Sequence, residues 1–509
     1  MLPALLAGLL PVVWVPVTVD SFILPRTALT LLGAGVLAGL GLIAGRRSVR
    51  PLRWPILAVA AAAALAAATS VAPALSLTGD YSRYESLPVR LAYLGLLYGA
   101  ARLATAETLV TGYLLGCGVA ALEAGYQALT GALSRPDGNL GQPNLLGALL
   151  AMALALIADR GWRAFHDPTH RGLVITPAWR WLALAPIFIA GLALSASRSG
   201  WLGAAAGAGA VALWRVPTRW RARAAVACTA VLVAGSLALL FTPLRHLNHD
   251  TGMARLGVWG DAVRLVAARP LTGWGEDATG LVFGRVQSGD WQPGNRFDRA
   301  HSLPLDLLVT QGVLGLLACT WLFATIWRRL WQRPELAGIA GAMAAYLAWA
   351  LLNFDWAPAT APLWLLAGCA WAQRGIPDTT QPRLAGHPRL LAAGILVALG
   401  LGASLPPQAA DIAFYEGRND LAVRLDPLQP MYWAALGGRA GLRRAAALGS
   451  TDTTTYIRLG DEERGAGSIA AARAAYRRAL AIYPYDREAV QRLHALPTRS
   501  DASGSRGSG

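Results

Sequence analysis

The sequence contains no lysine, so all 45 of its basic residues are arginines. Nothing in the residues themselves gives a functional reason for that absence. Charged residues are also scarce, at 15% of 509 residues, whereas 55% are hydrophobic. This composition predicts a polytopic membrane protein. The net charge of +16 is then expected in cytoplasmic loops facing anionic membrane lipid, and no nucleic acid is needed to explain it.

Cysteine is rare, and the four cysteines lie inside apolar stretches, at Cys117, Cys228, Cys319 and Cys369. They have neither metal-site spacing nor the pattern of an extracellular disulfide framework, so we interpret them as packing residues. We expect no metal and no cofactor. The N-terminus also lacks the basic region of a signal peptide, so we expect its first apolar run to be a retained helix.

Apolar runs of about 17–25 residues, the length that crosses the hydrocarbon core of a bilayer, recur along the chain. They predict an all-α membrane bundle over residues 1–405. We count about thirteen spans, near 2–18, 27–45, 53–72, 87–105, 107–129, 142–159, 179–197, 199–214, 224–241, 302–327, 335–352, 357–373 and 389–405.

The arginines orient these spans. Nineteen of them lie in one set of connections, at 46–53, 100–107, 160–180, 215–223, 328–334 and 374–389. Four lie in the alternate set, at 20–26, 73–86, 130–141, 198 and 353–360. The positive-inside rule then predicts a cytoplasmic N-terminus, with the 242–300 loop and everything after the thirteenth span on the outer side. In a bacterium this is the periplasmic side of the inner membrane.

From about residue 406 the chain becomes charged and alanine-rich, with helical periodicity. Seven of its residues have the order and spacing of one tetratricopeptide repeat: Leu459, Gly460, Gly467, Ala472, Tyr476, Ala479 and Pro484. We predict a periplasmic tetratricopeptide-like helical domain at 406–499 and a disordered tail at 500–509. Repeat domains of this kind usually bind a protein partner.

The most informative stretch runs from Arg255 to Leu317. It is a polar segment with many arginines, and directly after His301 it becomes an apolar run long enough to span a membrane. Arginine is always charged and grips phosphate oxygens with a two-pronged fork. Histidine can take a proton from a hydroxyl near neutral pH. This combination predicts chemistry on a lipid-linked phosphate at a membrane surface.

Four arginines are candidate diphosphate ligands. Arg255 shares one face of a predicted short helix with Trp259, and Arg264 lies further along it. Arg198 lies at a tight outer junction between two spans, and Arg83 lies on an outer connection. The alternatives stay open: a solvated basic loop for the first pair, and a snorkelling residue that closes a helical hairpin for Arg198.

His301 is the one histidine of seven that precedes a span on the outer side, and it is the predicted catalytic base. Asp298 is a better candidate than Asp306 to orient its ring, because Asp306 lies on a different helical face. Arg90, just inside the fourth span, has a structural explanation: we expect it to pair with Glu123, since charges at that depth are usually paired.

Contacts to the sugar or acceptor are predicted for Asp298 and Arg299 beside the histidine, and for Gln142 and Asn144 at the start of the sixth span. The alternative for the last two is helix capping alone, since Pro143 and the preceding glycines already make a turn and a helix start.

Several of these segments resemble bacterial O-antigen ligases and their superfamily, which includes O-antigen polymerases and O-linked oligosaccharyltransferases. The similar segments are Ser82–Leu87, Gly138–Asn144, Arg198 in Ser-Arg-Ser-Gly-Trp, Arg255 with Trp259, Pro270–Gly275, Asp298–Ser302 and Gln311–Gly315. The resemblance covers roughly residues 75–375.

The resemblance implies a glycosyltransferase-C-like membrane enzyme. Such an enzyme moves a glycan from undecaprenyl diphosphate to an acceptor hydroxyl, with no metal, no cofactor and inversion at the anomeric carbon. Carried across, Arg198 and Arg255 hold the diphosphate and His301 is the base. The acceptor stays open among lipid A core, another glycan and a protein hydroxyl. The additional span and the repeat domain give weight to a protein-glycosylating or partner-dependent enzyme.

A function of another class, a transporter or flippase for a lipid-linked sugar, is also open. Such a protein should carry paired charges or broken helices near the bilayer midplane in repeated halves. The notable charges here cluster at the predicted outer surface, and no inverted repeat is visible. The transferase is therefore the favoured interpretation.

Overall fold

The computed structural model describes residues 1–44, 47–166, 179–241, 254–371 and 386–497. Within these ranges the chain forms helices and turns and no β-strand, which confirms the all-α class. The tail predicted to be disordered, at 500–509, lies outside the described residues, and so does the start of the predicted outer loop, 242–253.

The α-helices before the outer loop are α1 (Leu2–Leu9), α2 (Ile23–Ala44), α3 (Arg53–Ala68), α4 (Pro73–Thr78), α5 (Leu87–Leu103), α6 (Ala106–Thr130), α7 (Pro143–His166), α8 (Trp179–Leu182), α9 (Ala185–Leu194), α10 (Arg198–Arg215) and α11 (Thr218–Phe241). Those after it are α12 (Ala254–Ala268), α13 (Thr279–Val282), α14 (Leu303–Trp331), α15 (Ala337–Ala350), α16 (Ala357–Gly368), α17 (His387–Tyr415), α18 (Asn419–Leu425), α19 (Pro430–Leu436), α20 (Gly438–Leu448), α21 (Thr453–Gly465), α22 (Ile469–Ile482) and α23 (Arg487–His494). Short 3₁₀ helices lie at Arg50–Leu52, Phe283–Arg285, Pro334–Leu336 and Cys369–Trp371.

Six of the described helices are long and apolar enough to cross a membrane: α2, the run Arg50–Ala68 that includes α3, α6, α7, α14 and α17. The chain is therefore a polytopic membrane protein. The count of thirteen spans stays a prediction, because several predicted spans contain shorter helices.

The first predicted span, 2–18, contains only the eight-residue α1. Pro11 and Pro16 follow that helix, and a proline lacks the amide donor that a continuing helix needs. The spans predicted at 335–352 and 357–373 correspond to α15, with 14 residues, and α16, with 12. At these three positions the predicted apolar run is longer than the helix it forms.

Helix α7 lies within the bundle, against α6, α9, α10 and α15. Small residues let it approach α10 closely, since a Cβ on Gly200 would lie 2.9 Å from the Cα of Gly147. Both glycines are near the start of their helices. The contact therefore places Arg198, which begins α10, beside Gln142 and Asn144 at the start of α7.

Helix α17 packs on α2 and continues past residue 405, the predicted domain boundary, to Tyr415. Pro406 and Pro407 lie inside this helix. Helices α18 to α23 follow, each packed on the next. The C-terminal helical unit, residues 406–497, thus begins as a continuation of a membrane-length helix.

Helices α21 and α22 pack closely, as the small residues in the repeat pattern predict. A Cβ on Gly460 would lie 2.2 Å from the ring of Tyr476, and Ala472 and Ala479 are fully buried. Assignment of this pair to the tetratricopeptide class stays a prediction. The pair shares one hydrophobic core with the segments around α4 and α12, including Leu75, Val258, Phe283, Tyr476 and Ile482.

Candidate functional site

A break in α14 anchors the segment 254–302 to the bundle. At Gly312 the helix has a φ of 68° and a ψ of −166°. The segment 270–275 fills the break: its amides at 274 and 275 donate to the carbonyls of Val309 and Thr310, at 2.8 and 3.0 Å. A Cβ on Gly312 would lie 2.3 Å from the carbonyl carbon of Leu271, so only glycine permits this approach.

The backbone before His301 is held from both sides. The amide of Ala300 donates to Oδ1 of Asp306 at 2.7 Å, and its carbonyl accepts from Nε1 of Trp259 at 3.0 Å. His301 itself has a φ of 52°, a left-handed conformation that is rare outside glycine and persists where the surroundings impose it. The contribution of Asp306 is therefore a hydrogen bond to the backbone amide of Ala300, the residue that precedes the histidine.

Helix α12 explains the spacing of Arg255 and Trp259. The two residues lie one turn apart on the same face, and Trp259 bonds the peptide before His301. Arg255 and His301 line the same cavity. One residue of the pair thus sets the backbone of the histidine, and the other brings a positive charge to the cavity.

Helix α10 presents Arg198 at its first position. The hydroxyl of Ser197 caps this helix by accepting from the amide of Gly200 at 3.2 Å. Beside it, the guanidinium of Arg135 donates to the carbonyl of Ser195 at 3.0 Å. Two arginines therefore lie at a helix N-terminus, whose dipole adds further partial positive charge.

These elements enclose a cavity of about 320 Å³. Its lining consists of Arg83, Arg135, Gln142, Asn144, Leu145, Arg198, Arg255, Gln292, His301, Trp349, Asn353, Phe354 and Trp356. Four of these are arginines, and none of the described carboxylates lines the cavity. Such a lining favours an anionic ligand.

Arg83 reaches the cavity from the connection before α5. Its Nε donates to Oδ2 of Asp298 at 2.6 Å, and its guanidinium lies 4.6 Å from the ring centroid of Trp356 and 5.2 Å from that of Phe354. Burial by itself raises the pKa of the Asp298 carboxyl, but the ion pair with Arg83 and the nearby His301 bring that pKa below its ordinary value. Asp298 therefore stays ionised near neutral pH and holds Arg83 in place.

Residues 182–320 match the family model described as O-antigen ligase. The chain carries an O-antigen ligase family domain. No curated protein matches the chain. The matched residues include Arg198, Arg255 and His301, all of which line the cavity. The family is one of glycosyltransferases.

The O-antigen ligase domain supplies only part of the cavity lining. Arg83, Gln142 and Asn144 come from the chain before it, and Asn353 and Trp356 come from the chain after it. Contact of Gln142 and Asn144 with a sugar or acceptor stays a prediction, and their role at the helix start is visible in the structure. They line the cavity, and they also bond each other at the start of α7, where Oε1 of Gln142 accepts from the amide of Asn144 at 2.5 Å.

Three predicted contact residues lie outside the cavity lining: Asp298, Arg264 and Arg299. Asp298 instead pairs with Arg83. Arg264 is half-exposed, pairs with Asp261 and donates to the carbonyl of Val286 at 2.8 Å. It follows Arg255 by nine residues, which is two and a half helical turns, and so lies on the opposite face of α12. Arg299 is 1% exposed and pairs with Asp277. Arg299 is part of the packed interior of the segment 254–302.

Arg90 does not pair with Glu123 as predicted. It is buried among three carboxylates, with contacts of 3.7 Å to Glu85 and 3.4 Å to Glu276, and a third contact to Asp355. These partners are 5, 186 and 265 residues away, and tertiary folding alone brings the last two close. The cluster ties the start of α5 to the segment before α13 and to the connection before α16.

Reasoning from the sequence missed seven of the residues that line the cavity: Arg135, Leu145, Gln292, Trp349, Asn353, Phe354 and Trp356. A signal existed for two of them, because Phe354 and Trp356 stand on a short connection between apolar runs, where interfacial aromatic residues are typical. The ring of Phe354 lies 5.2 Å from that of His301 between centroids. The aromatic connection thus packs directly against the predicted base.

Proposed function

We propose that the protein transfers a glycan from undecaprenyl diphosphate to an acceptor hydroxyl on the periplasmic side of a bacterial inner membrane. The observation that carries this proposal is the single cavity lined by His301 together with Arg83, Arg198 and Arg255. Polar side chains suited to a sugar, Gln142 among them, line the same cavity. The family match at 182–320 supports the reaction class.

In the proposed mechanism, the acceptor oxygen attacks the anomeric carbon of the first sugar and the bond from that carbon to the diphosphate breaks. A single direct attack inverts the configuration. His301 accepts the hydroxyl proton as the new bond forms, a step worth about 10²–10⁴-fold in rate. Arg198 and Arg255, with Arg83, stabilise the charge that builds on the leaving diphosphate. The chemistry requires no metal.

The proposal includes the predicted topology of thirteen spans, a cytoplasmic N-terminus and a periplasmic tetratricopeptide-like unit at 406–499. The distribution of arginines among the connections supports this orientation. Accessibility labelling of single cysteines introduced at Ser288 and at Arg328 measures it. Labelling of the first from the outer side and of the second from the inner side is expected, and the reverse pattern would refute the orientation.

Three acceptors, namely lipid A core, another glycan and a Ser/Thr hydroxyl of a protein, offer the same reacting group. A transfer assay with purified donor and a panel of these acceptors therefore decides among them. We expect transfer to one acceptor. His301→Ala should lower kcat by about 10²–10⁴-fold, because the base is removed.

Arg255→Ala should also abolish most of the transfer, and Arg264→Ala is its matched control, since the two arginines lie on opposite faces of α12. Arg264→Ala should retain activity. Full activity in His301→Ala would remove the proposed base. Passage of the donor across a proteoliposome membrane, without transfer to any acceptor, would instead identify a transporter.

A further inference from the structure

The segment that carries Arg83 into the cavity has an unusual backbone. It connects α4 to α5, and within it Gly79, Ser82 and Tyr84 have φ values of 83°, 69° and 56°. Ser82 and Tyr84 are not glycines, so these left-handed conformations persist only where the surroundings hold them. The position of Arg83 therefore depends on what the segment 79–84 contacts.

One side of the segment 79–84 is held by the part of the chain between α12 and His301. The amide of Asp80 donates to Oδ2 of Asp277 at 2.8 Å, and Arg83 donates to Asp298 at 2.6 Å. Both contacts belong to the part of the chain that also carries His301.

The other side is held by the C-terminal helical unit. Oγ1 of Thr451 donates to Oδ1 of Asp80 at 2.8 Å, and Nε2 of Gln429 donates to the carbonyl of Gly79 at 3.2 Å. The hydroxyl of Tyr81 donates to Asp411 on α17 at 2.6 Å. Three consecutive residues of the segment are thus bonded to the C-terminal part of the chain.

These bonds lie in a dry interface. Thr451 is 3% exposed, Gln429 is 2% exposed and Asp411 is fully buried. A buried hydrogen bond is electrostatically stronger than one in water, and its loss leaves an unsatisfied polar group. Asp411 also accepts from the amide of Asp20 at 2.9 Å, so the unit is fixed to the N-terminal part of the chain as well.

We propose that the C-terminal helical unit is a positioning part of the donor site. In this proposal Thr451 and Gln429 hold the segment 79–84 in the conformation that brings Arg83 to the diphosphate. The proposal rests on the proposed function for the identity of the ligand. It gives the helical unit a role inside the enzyme, in addition to any partner that it binds.

Thr451→Val tests the proposal, because valine keeps the shape of the side chain and removes the donor to Asp80. The apparent KM for the lipid-linked donor should rise about tenfold, as expected when a carboxylate loses a buried hydrogen bond. The KM for the acceptor should not change. Thr451→Ser, which retains the hydroxyl, should restore the wild-type value.

Thr454→Val is the matched control, since Thr454 is an exposed residue of the same helical unit whose hydroxyl donates to Asp452, two residues earlier in the chain. It should leave both KM values unchanged. An unchanged donor KM in Thr451→Val would overturn the proposal. A lower kcat with both KM values unchanged would also overturn it, because fewer folded molecules produce that pattern.

Amide hydrogen exchange separates this proposal from the proposed function. Exchange in a peptide spanning 79–86 should accelerate about tenfold in Thr451→Val and not in Thr454→Val. If exchange accelerates while the wild-type protein transfers no glycan, the result supports the role of Thr451 in holding the segment 79–84 and refutes the proposed reaction. If transfer occurs and exchange is unchanged, the proposed reaction stands and the positioning role fails.

Discussion

At the scale of single residues, the backbone next to the candidate base His301 is held by hydrogen bonds to the preceding residue, Ala300. Ala300 uses both of its backbone polar groups, with Asp306 and Trp259 as partners. Neither partner needs to touch a substrate to matter, because an ångström of displacement at a reacting group can cost about two orders of magnitude in rate. The tryptophan is therefore a positioning residue for His301.

Trp259→Phe keeps an aromatic ring and removes the Nε1 donor. The carbonyl of Ala300 then loses its partner, and we expect kcat for transfer to fall about tenfold. The transfer assay measures kcat, and a thermal melt in detergent measures stability, which should change little.

Trp54→Phe is the matched control, since Trp54 is 62% exposed at the start of α3. It should leave kcat unchanged. A Trp259→Phe enzyme as fast as the wild type would show that the bond to Ala300 does not position the histidine.

At the scale of elements, the broken helix α14 joins the membrane bundle to the segment 254–302. Its break at Gly312 opens carbonyls to which the segment 270–275 bonds. The glycines on both sides permit this approach: a Cβ on Gly273 would lie 2.5 Å from the carbonyl carbon of Thr310. The Pro-Leu-Thr-Gly-Trp-Gly motif is thus one half of a two-part contact.

Gly312→Ala should disrupt this contact, because its φ is positive and its Cβ would meet backbone at 2.3 Å. We expect a loss of at least about 2 kcal/mol in the free energy of unfolding, together with a loss of transfer. Denaturation in mixed micelles measures the free energy.

Gly394→Ala, in the membrane-length helix α17, is the control. A Cβ there meets nothing within 4 Å, so this variant should be as stable as the wild type or slightly more so. Equal stabilities for the two variants would contradict the account of the break.

At the scale of the whole molecule, buried ion pairs join parts that are distant in the chain. Arg90 contacts Glu85, Glu276 and Asp355. Glu276 belongs to the segment 254–302, and Asp355 belongs to the connection before α16. Burial raises the pKa of the Glu85 carboxyl to about 7. Arg90 is the cation that compensates this group of acids.

Arg90→Met should lower the free energy of unfolding by about 3–5 kcal/mol, since it leaves buried carboxylates without their cation. The loss should be smaller at pH 5 than at pH 8. A raised pKa means that Glu85 is protonated in the folded state below about pH 7, and a neutral carboxyl needs no partner.

Arg53→Met, at an exposed arginine over Trp54, is the control and should change stability by less than about 1 kcal/mol. Similar losses in both variants, or a larger loss for Arg90→Met at pH 5, would contradict this description of the cluster.

Some of the site follows from local sequence. The pairing of Arg255 with Trp259 depends on helical spacing, and Arg198 and His301 stand out because they adjoin apolar runs on the predicted outer side, where few arginines occur. These signals involve residues within one turn or one junction of each other. For that reason they can be recognised without knowledge of the rest of the fold.

Other parts depend on distances that no local pattern contains. Nothing in the sequence distinguishes Arg264 from Arg255. In the folded protein the two lie on opposite faces of α12, and Arg255 lines the cavity. Asp306 contributes through a peptide group, and Arg90 finds partners 186 and 265 residues away.

The sequence by itself determined the all-α class and the membrane setting, and it predicted Arg198, Arg255 and His301 as site residues, because periodicity, run length and charge are local properties. Tertiary structure decided which arginines share the cavity, and it bonded the C-terminal unit to residues 79–81, which precede Arg83. Chemically identical side chains differ in function according to where they are buried, and burial is defined only once the helices have packed.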